Sequence, residues 1–291
     1  MKRSSTGRGS GLAVVESPAE MRELARRWQG EGASIGLVPT MGALHAGHLS
    51  LIERARSEND RLVVSIFVNP IQFGPGEDLD RYPRPVEADL QMLATAGADA
   101  AYMPGAKDMY PEQATTRVAV HGVAGPLEGA ARPGHFDGVA TVVTKLFWAT
   151  RTDRAYFGQK DAQQVAVVKR LAADLDSGVE IVVCPTVREA DGLAVSSRNA
   201  YLSTQERAAA ASLSHALRAA VDLYGGGDRD PGRLRRRMLD VLEGEPLVQV
   251  EYAEVVDPGN FSSPGTLAVL AVRIGKTRLI DNHDLIQPYP G

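Results

Sequence analysis

A short segment rich in glycine and histidine is the part of this sequence best suited to chemistry. It lies between a predicted strand and a predicted helix and reads Pro39-Thr40-Met41-Gly42-Ala43-Leu44-His45-Ala46-Gly47-His48. His45 and His48 are three residues apart, so near a helix start both side chains can lie on one side. Gly42 and Gly47 let a ligand approach the backbone closely. A helix N-terminus also offers unpaired N–H groups and a positive dipole end, which favour phosphate.

Two imidazoles in this position can donate hydrogen bonds to a polyphosphate as negative charge builds on its oxygens. The residues alone leave two other interpretations open: a surface turn with two incidental histidines, or a metal-binding pair that lacks an evident third ligand nearby. The strand–glycine–helix setting favours phosphate, because open α/β sheets bind ligands at the carboxyl ends of their strands.

Other polar residues suit a small hydroxy acid and a phosphate-bearing ligand. Asn69 and Gln72 come just past a strand and carry neutral donors and acceptors for hydroxyl groups, although ordinary loop amides are the alternative. Lys160 and Arg198 are cations suited to phosphate oxygens, and the alternative for each is a solvated surface charge. Asp161 either accepts from a ribose or caps the helix that follows it.

Two further groups are open to two interpretations each. Ser196 and Ser197 either belong to the site or serve as a helix cap or linker. The segment Arg132-Pro133-Gly134-His135-Phe136 either forms one wall of the cleft or is a plain surface loop.

Predicted strands and helices position these residues. Along the chain, short runs rich in β-branched residues alternate with longer helical stretches. The predicted strands are 35–39, 62–68, 100–103, 154–157 and 180–184, and the predicted helices are 48–56, 85–96, 141–149 and 162–174. This alternation predicts an α/β fold with a parallel sheet and helices on both of its faces.

The pattern changes after residue 185. Ser203 and Glu206 form a capping box at the start of an alanine-rich helix that we expect to end near Tyr224. A helix is predicted at 231–243 and strands at 248–256, 267–274 and 277–280, with Gly275-Lys276 as a glycine-first hairpin turn. We therefore expect a smaller α+β C-terminal domain at 187–291, after an N-terminal domain at 1–186.

Composition excludes several classes of function. The formal net charge of the 291-residue chain is -4, which gives no electrostatic case for binding nucleic acid or an anionic membrane. Cys184 is the only cysteine, so no internal disulfide is possible, and its apolar neighbours predict a buried strand thiol. Residues 1–10 lack the apolar core of a secretory signal and are predicted to be a disordered tail. We expect a cytoplasmic protein.

A set of further motifs gives the chain a family resemblance. H-x-G-H in this setting is the signature of the nucleotidyltransferase superfamily, and Val195-Ser196-Ser197-Arg198-Asn199 resembles its second motif, a mobile loop that contacts ATP phosphates. The remaining motifs are Phe67-Val68-Asn69-Pro70-Ile71-Gln72-Phe73-Gly74, Tyr82-Pro83-Arg84, Phe157-Gly158-Gln159-Lys160-Asp161, Gln163-Gln164, Pro185-Thr186-Val187-Arg188-Glu189 and Asp191-Gly192-Leu193-Ala194. Together, over residues 35 to 202, they resemble the pantothenate synthetase family.

The resemblance implies an ATP-dependent condensation of (R)-pantoate with β-alanine, giving pantothenate, AMP and pyrophosphate. It also implies a Rossmann-like N-terminal domain, a smaller C-terminal lid and a homodimer. The ATP site would comprise Met41, Gly42, Ala43, Leu44, His45, Ala46, Gly47, His48, Gly158, Gln159, Lys160, Asp161, Val187, Val195, Ser196, Ser197 and Arg198. His48 would be the residue that the family uses as proton donor. His45, Lys160 and Arg198 would be the other catalytic residues.

Substrate and metal residues also follow from the resemblance. Gln72 and Gln164 would bind pantoate, together with Asn69, and Gln72 would also lie near β-alanine. Asp89 is a candidate ligand for the Mg²⁺ that accompanies ATP, with a helix-surface carboxylate as the alternative. Val195 departs from the family, where methionine is expected, and we expect looser packing near the adenine.

The expected chemistry begins with an acyl-adenylate, because a carboxylate is a poor electrophile. The protein's task is then positioning and charge neutralisation rather than covalent catalysis. Two rivals are a superfamily member that makes a dinucleotide or a CDP-alcohol and a non-catalytic nucleotide sensor. An enzyme that makes a dinucleotide or a CDP-alcohol would have no use for the polar segment from Asn69 to Gln72. A nucleotide sensor would not need so many hydrogen-bond donors to phosphate.

Overall fold

Six parallel strands form the first sheet of the protein, whose computed structural model describes residues 11–290. They are β1 (Ala13–Val15), β2 (Ile35–Thr40), β3 (Arg61–Ile66), β4 (Ala100–Tyr102), β5 (Arg154–Gly158) and β6 (Glu180–Cys184). Their order across the sheet is β1-β4-β3-β2-β5-β6, and every neighbouring pair is parallel. The predicted parallel α/β sheet is confirmed.

Helices cover both faces of this sheet because both faces of its central strands are apolar. Successive residues of a strand point to opposite faces. Leu37 of β2 accordingly packs with the first core cluster, while Val38 packs with the cluster on the other face. Helices α1 (Pro18–Gly30), α6 (His135–Thr150) and α7 (Ala162–Asp174) contribute to the first cluster, and α2 (Ala46–Glu58) and α3 (Val86–Thr95) to the second.

Most predicted elements occur where the pattern placed them, with differences at their ends. Strand β3 ends at Ile66 rather than residue 68, because the chain turns into a short 3-10 helix at Pro70–Gln72. Helix α6 begins at His135, six residues before the predicted start, because its polar first turn is buried by contacts that periodicity does not reveal. Two short helices, α4 (Ala106–Met109) and α5 (Glu128–Ala131), were not predicted.

The C-terminal part is a three-stranded antiparallel sheet covered by two helices. Helices α8 (Thr204–Gly225) and α9 (Pro231–Glu243) precede strands β7 (Val248–Val256), β8 (Leu267–Ile274) and β9 (Thr277–Asp284). The predicted capping box of Ser203 and Glu206 begins α8. Ile274 pairs with Thr277 across the two-residue turn, so the hairpin is also confirmed. The smaller α+β part thus agrees with the prediction, whereas the exact boundary near residue 187 stays a prediction.

A buried ionic cluster joins the two parts of the chain. The carboxylate of Glu128, in α5, accepts from the Tyr252 hydroxyl at 2.6 Å and from both terminal nitrogens of Arg278 at 2.6 and 2.8 Å. Burial raises the pKa of Glu128, but the hydrogen bonds and charge of Arg278 outweigh it and hold that pKa below its ordinary value. The C-terminal sheet is therefore fixed against the segment that precedes α6.

Three remaining features are the first ten residues, the question of membrane-spanning helices and the single cysteine. The predicted tail at residues 1–10 lies outside the described residues. Between residues 11 and 290, no helix has the length and apolar character needed to cross a membrane. Cys184, as predicted, is a buried free thiol at the end of β6.

Candidate active site

The glycine- and histidine-rich segment leaves the carboxyl end of β2, at the point where the strand order reverses. Strands β3 and β4 lie to one side of β2, and β5 and β6 lie to the other. A short 3-10 helix, Gln159–Asp161, leaves the carboxyl end of β5 beside it. Connections that diverge in this way leave a crevice that binds ligands in open α/β sheets. The fold therefore brings two of the predicted motifs to one place.

His45 and His48 form a packed pair at the start of α2. His45 is the N-cap residue, and the two rings stack with their centroids 4.0 Å apart. The backbone N–H of His45 donates to Nδ1 of His48 across 3.3 Å. Gly47 leaves room for this arrangement, because a Cβ there would lie 3.0 Å from the His45 ring and would push the ring aside. The spacing H-x-G-H thus produces a fixed imidazole pair rather than two incidental surface histidines.

Both imidazoles are neutral near pH 7. Burial, with smaller contributions from His45 and Lys160, lowers the pKa of His48 to about 3. Burial and the charge of Lys160 also lower the pKa of His45. Because Nδ1 of the neutral His48 ring accepts a hydrogen bond, the proton lies on Nε2. His48 can therefore donate from Nε2 without carrying a charge.

His45 offers a second unused polar group. Its Nδ1 is buried and has no hydrogen-bond partner within residues 11–290. A buried polar atom without a partner costs on the order of 1–3 kcal/mol, which a bound ligand can recover. This nitrogen therefore points to a polar ligand beside the imidazole pair.

Asn69 and Gln72 lie together past the end of β3, and both line the same cavity. Asn69 is 1% exposed, and its amide donates to Gln72 Oε1 at 2.9 Å and to the Gly138 carbonyl at 3.1 Å. Its Oδ1 accepts from the Tyr110 hydroxyl at 2.7 Å. These bonds use both amide donors of Asn69 and link it to Gln72, and contact between Asn69 and the acid stays a prediction.

The backbone of α6 supports Gln72 from the other side. A Cβ at Gly138 would lie 2.6 Å from the Cα of Gln72 and 2.6 Å from the carbonyl oxygen of Ile71. Helix α6 can therefore approach the Pro70–Gln72 turn only because residue 138 has no side chain. No sequence motif that we considered included Gly138.

The segment that begins at Arg132 forms one wall of the site and is not a plain surface loop. The Gln72 carbonyl accepts from Nδ1 of His135 at 2.9 Å, so Nε2 of the neutral ring accepts from Arg132 at 3.0 Å. Burial, and then the charge of Arg132, lowers the pKa of His135 to about 4. Arg132 also makes a two-bond ion pair with Glu77, at 2.8 and 2.7 Å. The neutral tautomer of His135 thus helps to hold the Gln72 backbone.

Of the two neighbouring glutamines in α7, one faces the site and one supports it. Gln164 is half-buried and lines the cavity. Gln163 is 4% exposed and donates to the carbonyls of Val123 and Pro126. Gln164 therefore lies at the cavity, where its role in substrate binding stays a prediction, while Gln163 holds the loop before α5.

Lys160 is held at the site by the C-terminal sheet. Asn282, in β9, donates to the carbonyls of Gln159 and Lys160 at 3.0 and 2.8 Å. The Lys160 ammonium lies 3.8 Å from the Asp161 carboxylate. Asp161 precedes α7 but makes no side-chain capping bond, so the structure does not support its alternative role as a helix cap.

The second motif folds back over the site through a short hairpin. The N–H of Val195 donates to the Val187 carbonyl at 2.9 Å, and Arg188 and Ala194 form a bridge. Ser196 caps the 3-10 helix Ser197–Tyr201 by accepting from the Arg198 N–H at 3.3 Å. Ser196 thus acts as a helix cap and also lines the cavity.

Arg198 is already paired with a carboxylate. It makes two bonds to Asp78, both at 2.9 Å, across a separation of 120 residues in the chain. Burial raises the pKa of Asp78, but the hydrogen bonds and charge of Arg198 leave it below its ordinary value. The Ser197 hydroxyl also lies 3.4 Å from the Tyr82 hydroxyl. The second motif is therefore docked on the segment that follows the Pro70–Gln72 turn.

One cavity of about 230 Å³ collects most of the predicted site residues, and an adjoining cleft of about 790 Å³ leads from it between the two parts of the chain. The predicted residues that line the smaller cavity are Met41, His45, Gly47, His48, Asn69, Gln72, Gly158, Lys160, Asp161, Gln164, Val187, Val195, Ser196, Ser197 and Arg198. The predicted ATP-site residues that do not line it are Gly42, Ala43, Leu44, Ala46 and Gln159.

Asp89 needs a correction. It lies in α3 and is 2% exposed, so the alternative of a helix-surface carboxylate is wrong. Its two oxygens accept from the N–H groups of Ala43 and Leu44 at 2.9 and 2.8 Å. The structure does not support Asp89 as a magnesium ligand, because both oxygens are bound to backbone donors. Within residues 11–290, no group of three or more His, Cys, Asp or Glu side chains could hold a metal ion.

Comparisons with known proteins identify relatives of this chain. Residues 13–284 match the family described as Pantoate-beta-alanine ligase. A curated pantothenate synthetase from Rubrobacter xylanophilus is 55% identical over 286 residues, covering 94% of this chain and 98% of that protein. Another, from Herpetosiphon aurantiacus, is 51% identical over 277 residues, covering 93% of this chain and 99% of that protein.

Solved structures give the same result. The pantothenate synthetase of Thermus thermophilus superposes with a TM-score of 0.89 at 46% identity, covering 96% of this chain and 100% of that chain. A pantoate-beta-alanine ligase from Francisella tularensis, complexed with beta-gamma ATP and beta-alanine, has a TM-score of 0.80 at 35% identity, covering 95% of this chain and 98% of that chain. The chain belongs to the pantoate–β-alanine ligase family.

Proposed function

We propose that this ligase condenses (R)-pantoate with β-alanine through a pantoyl-adenylate, consuming ATP and releasing AMP and pyrophosphate. One observation carries the proposal: neutral histidines, glutamine amides and two cations line the same cavity at the switch point of the sheet. His45 and His48 suit phosphate oxygens, while Gln72 and Gln164 suit the hydroxyl and carboxyl groups of a small acid.

In the first step, a carboxylate oxygen of pantoate attacks the α-phosphorus of ATP. A new O–P bond forms as the bond from the α-phosphorus to the bridging oxygen breaks, and pyrophosphate leaves with that electron pair. Nε2–H of His48 donates to phosphate oxygens as charge develops, and Lys160 adds a positive charge. This division of work needs positioning and electrostatics, and no covalent enzyme intermediate.

Arg198 requires an exchange of partners before it can serve the phosphates. Its guanidinium is bound by Asp78 with the same two-bond geometry that a phosphate group would use. We propose that ATP phosphates replace Asp78, or share Arg198 with it, when the second motif closes over the nucleotide.

In the second step, the amine of β-alanine attacks the acyl carbon of the adenylate. A C–N bond forms, the C–O bond to AMP breaks, and the amine loses a proton. In this proposal Gln72, which lines the cavity, orients both acids, and docking of the second motif on the segment around Tyr82 keeps water from the adenylate.

The ion and the partners belong to the same proposal. We expect Mg²⁺ to arrive with ATP, and both oxygens of Asp89 are already bound to backbone N–H groups. A cytoplasmic homodimer is also proposed, on the basis of the family resemblance. Light scattering at two protein concentrations would distinguish a dimer from a monomer.

A product assay tests the function against its rivals. AMP and pyrophosphate should accumulate steadily only when ATP, pantoate and β-alanine are all supplied. A dinucleotide- or CDP-alcohol-forming enzyme would require a nucleotide or alcohol-phosphate partner, and a nucleotide sensor would form no product. Steady formation of ADP and phosphate would overturn the proposal.

A further inference from the structure

A buried carboxylate holds the loop between β2 and α2 from behind. Asp89 is 2% exposed, and its Oδ2 and Oδ1 accept from the N–H groups of Ala43 and Leu44. A carboxylate offers acceptors on both oxygens, so each of the two N–H groups finds a partner. A side-chain amide of the same shape would present one acceptor and one donor, and its donor would oppose an N–H.

The loop that Asp89 holds is in an unfavourable backbone conformation. Ala43 has φ of 51°, in the left-handed region. A non-glycine residue there is strained and persists only where its surroundings fix it. The two hydrogen bonds that Asp89 accepts supply that restraint, since hydrogen bonds to a carboxylate are stronger than those between neutral groups.

The restraint passes directly to the imidazole pair. Leu44 is followed by His45, whose N–H donates to Nδ1 of His48 and so selects the Nε2–H tautomer. The direction of that N–H depends on the backbone of the residues just before it. A loop that rotates at Ala43 or Leu44 would turn the His45 N–H away from the ring of His48.

We propose that Asp89 is a positioning residue that fixes the Ala43–Leu44 backbone and thereby holds His48 in its Nε2–H tautomer. The effect of Asp89 on catalysis rests on the proposed function. The effect of Asp89 on the His48 tautomer does not. Asp89 lines neither the smaller cavity nor the adjoining cleft. It acts through the two backbone N–H groups and the His45 N–H.

Asp89→Asn tests the proposal, with Asp153→Asn as a matched control. Asp153 also accepts a backbone N–H, from Ile35 at 2.7 Å, but at the opposite end of β2. ¹⁵N NMR of histidine-labelled protein distinguishes protonated from unprotonated ring nitrogens. Wild type and Asp153→Asn should show His48 as the Nε2–H tautomer alone, and Asp89→Asn should show a mixture of tautomers.

Kinetics provide the second readout. In Asp89→Asn, kcat for pyrophosphate exchange should fall by about 10²-fold, the loss typical of a catalytic group misplaced by about 1 Å, with KM for ATP changed little. Asp153→Asn should keep the wild-type kcat even where it lowers stability. The double variant Ala43→Gly/Asp89→Asn removes the cost of the positive φ, and it provides a folded form if the single variant is unstable.

The outcomes separate the positioning role from the proposed function. An unchanged His48 tautomer in both Asp89 variants, or an unchanged kcat, would overturn the positioning role. Equal losses in Asp89→Asn and Asp153→Asn would also overturn it, because a general loss of stability would explain both. A mixed tautomer in a protein whose wild type shows no pantoate-dependent exchange would leave Asp89 as a positioning residue and reject the proposed function.

Discussion

His48 should act as a neutral hydrogen-bond donor rather than as a general acid. Variants of His48 can distinguish these two roles. With a pKa of about 3, only about one ring in 10⁴ carries a second proton at pH 7. A general acid that is protonated so rarely would be inefficient, whereas a neutral Nε2–H donor is present in every molecule. The prediction is therefore that the protein needs an N–H at the position of Nε2 and not a titratable proton.

Three substitutions test this geometry. His48→Ala removes the donor and should lower kcat by about 10²–10³-fold, or roughly 3–4 kcal/mol. His48→Gln places an amide N–H near the position of Nε2 and should recover activity to within about 10-fold of wild type, a loss of about 1.4 kcal/mol. His48→Asn places its amide near Nδ1 and should be as poor as His48→Ala.

Steady-state kinetics between pH 5 and 8 provide the assay, with KM for ATP measured for each variant. Titration of His48 should leave no trace in the wild-type profile, because its pKa of about 3 lies below this range. The reasoning is refuted if His48→Gln is as inactive as His48→Ala, or if His48→Ala keeps a kcat within a few-fold of wild type. Circular dichroism spectra should be the same for all variants.

Three other perturbations have defined outcomes. Gln72→Ala should weaken pantoate binding by on the order of 1–3 kcal/mol while ATP affinity is kept. Calorimetry with each ligand alone measures both affinities, and equal losses for the two ligands would indicate a folding defect. Gly138→Ala should cost about 1–3 kcal/mol of stability and raise KM for pantoate, because the added Cβ would lie 2.6 Å from the Gln72 backbone. Urea unfolding measures the loss of stability, and steady-state kinetics measure KM. His135 has a folded pKa of about 4 against an ordinary value of 6.5, so its unfolded form binds the proton more readily and stability should fall as pH drops from 6.5 to 4. His135→Gln should flatten that dependence by up to about 3 kcal/mol in urea unfolding, and an unchanged slope would contradict the assignment.

The sequence was sufficient for the architecture because the relevant signals are local. The apolar runs of β2 and β6 and the capping box before α8 depend on neighbouring residues, and all three elements occur where predicted. The position of the histidine pair follows from the order of strand, glycine and helix. No long-range contact had to be known for these features.

The roles of individual polar side chains required the folded structure. Asn69 has the residue type for acid binding, but its hydrogen bonds with Tyr110 and Gly138, far along the chain, could not be read from the sequence. Asp89 looked like an ordinary helix carboxylate because its partners lie more than 40 residues earlier. Arg198 was a phosphate candidate whose pairing with Asp78 spans 120 residues. Spacing in the sequence carries no information on such contacts.

Pyrophosphate exchange tests the central claim most directly. If pantoate is adenylated first, the protein with Mg²⁺, ATP and pantoate should exchange labelled pyrophosphate into ATP without any β-alanine. The exchange requires a reversible first step and an adenylate retained near Lys160, Arg198 and the histidine pair. Omission of pantoate should abolish the exchange, because the α-phosphorus then has no nucleophile. Exchange that strictly requires β-alanine would contradict the free-standing adenylate and the mechanism built on it.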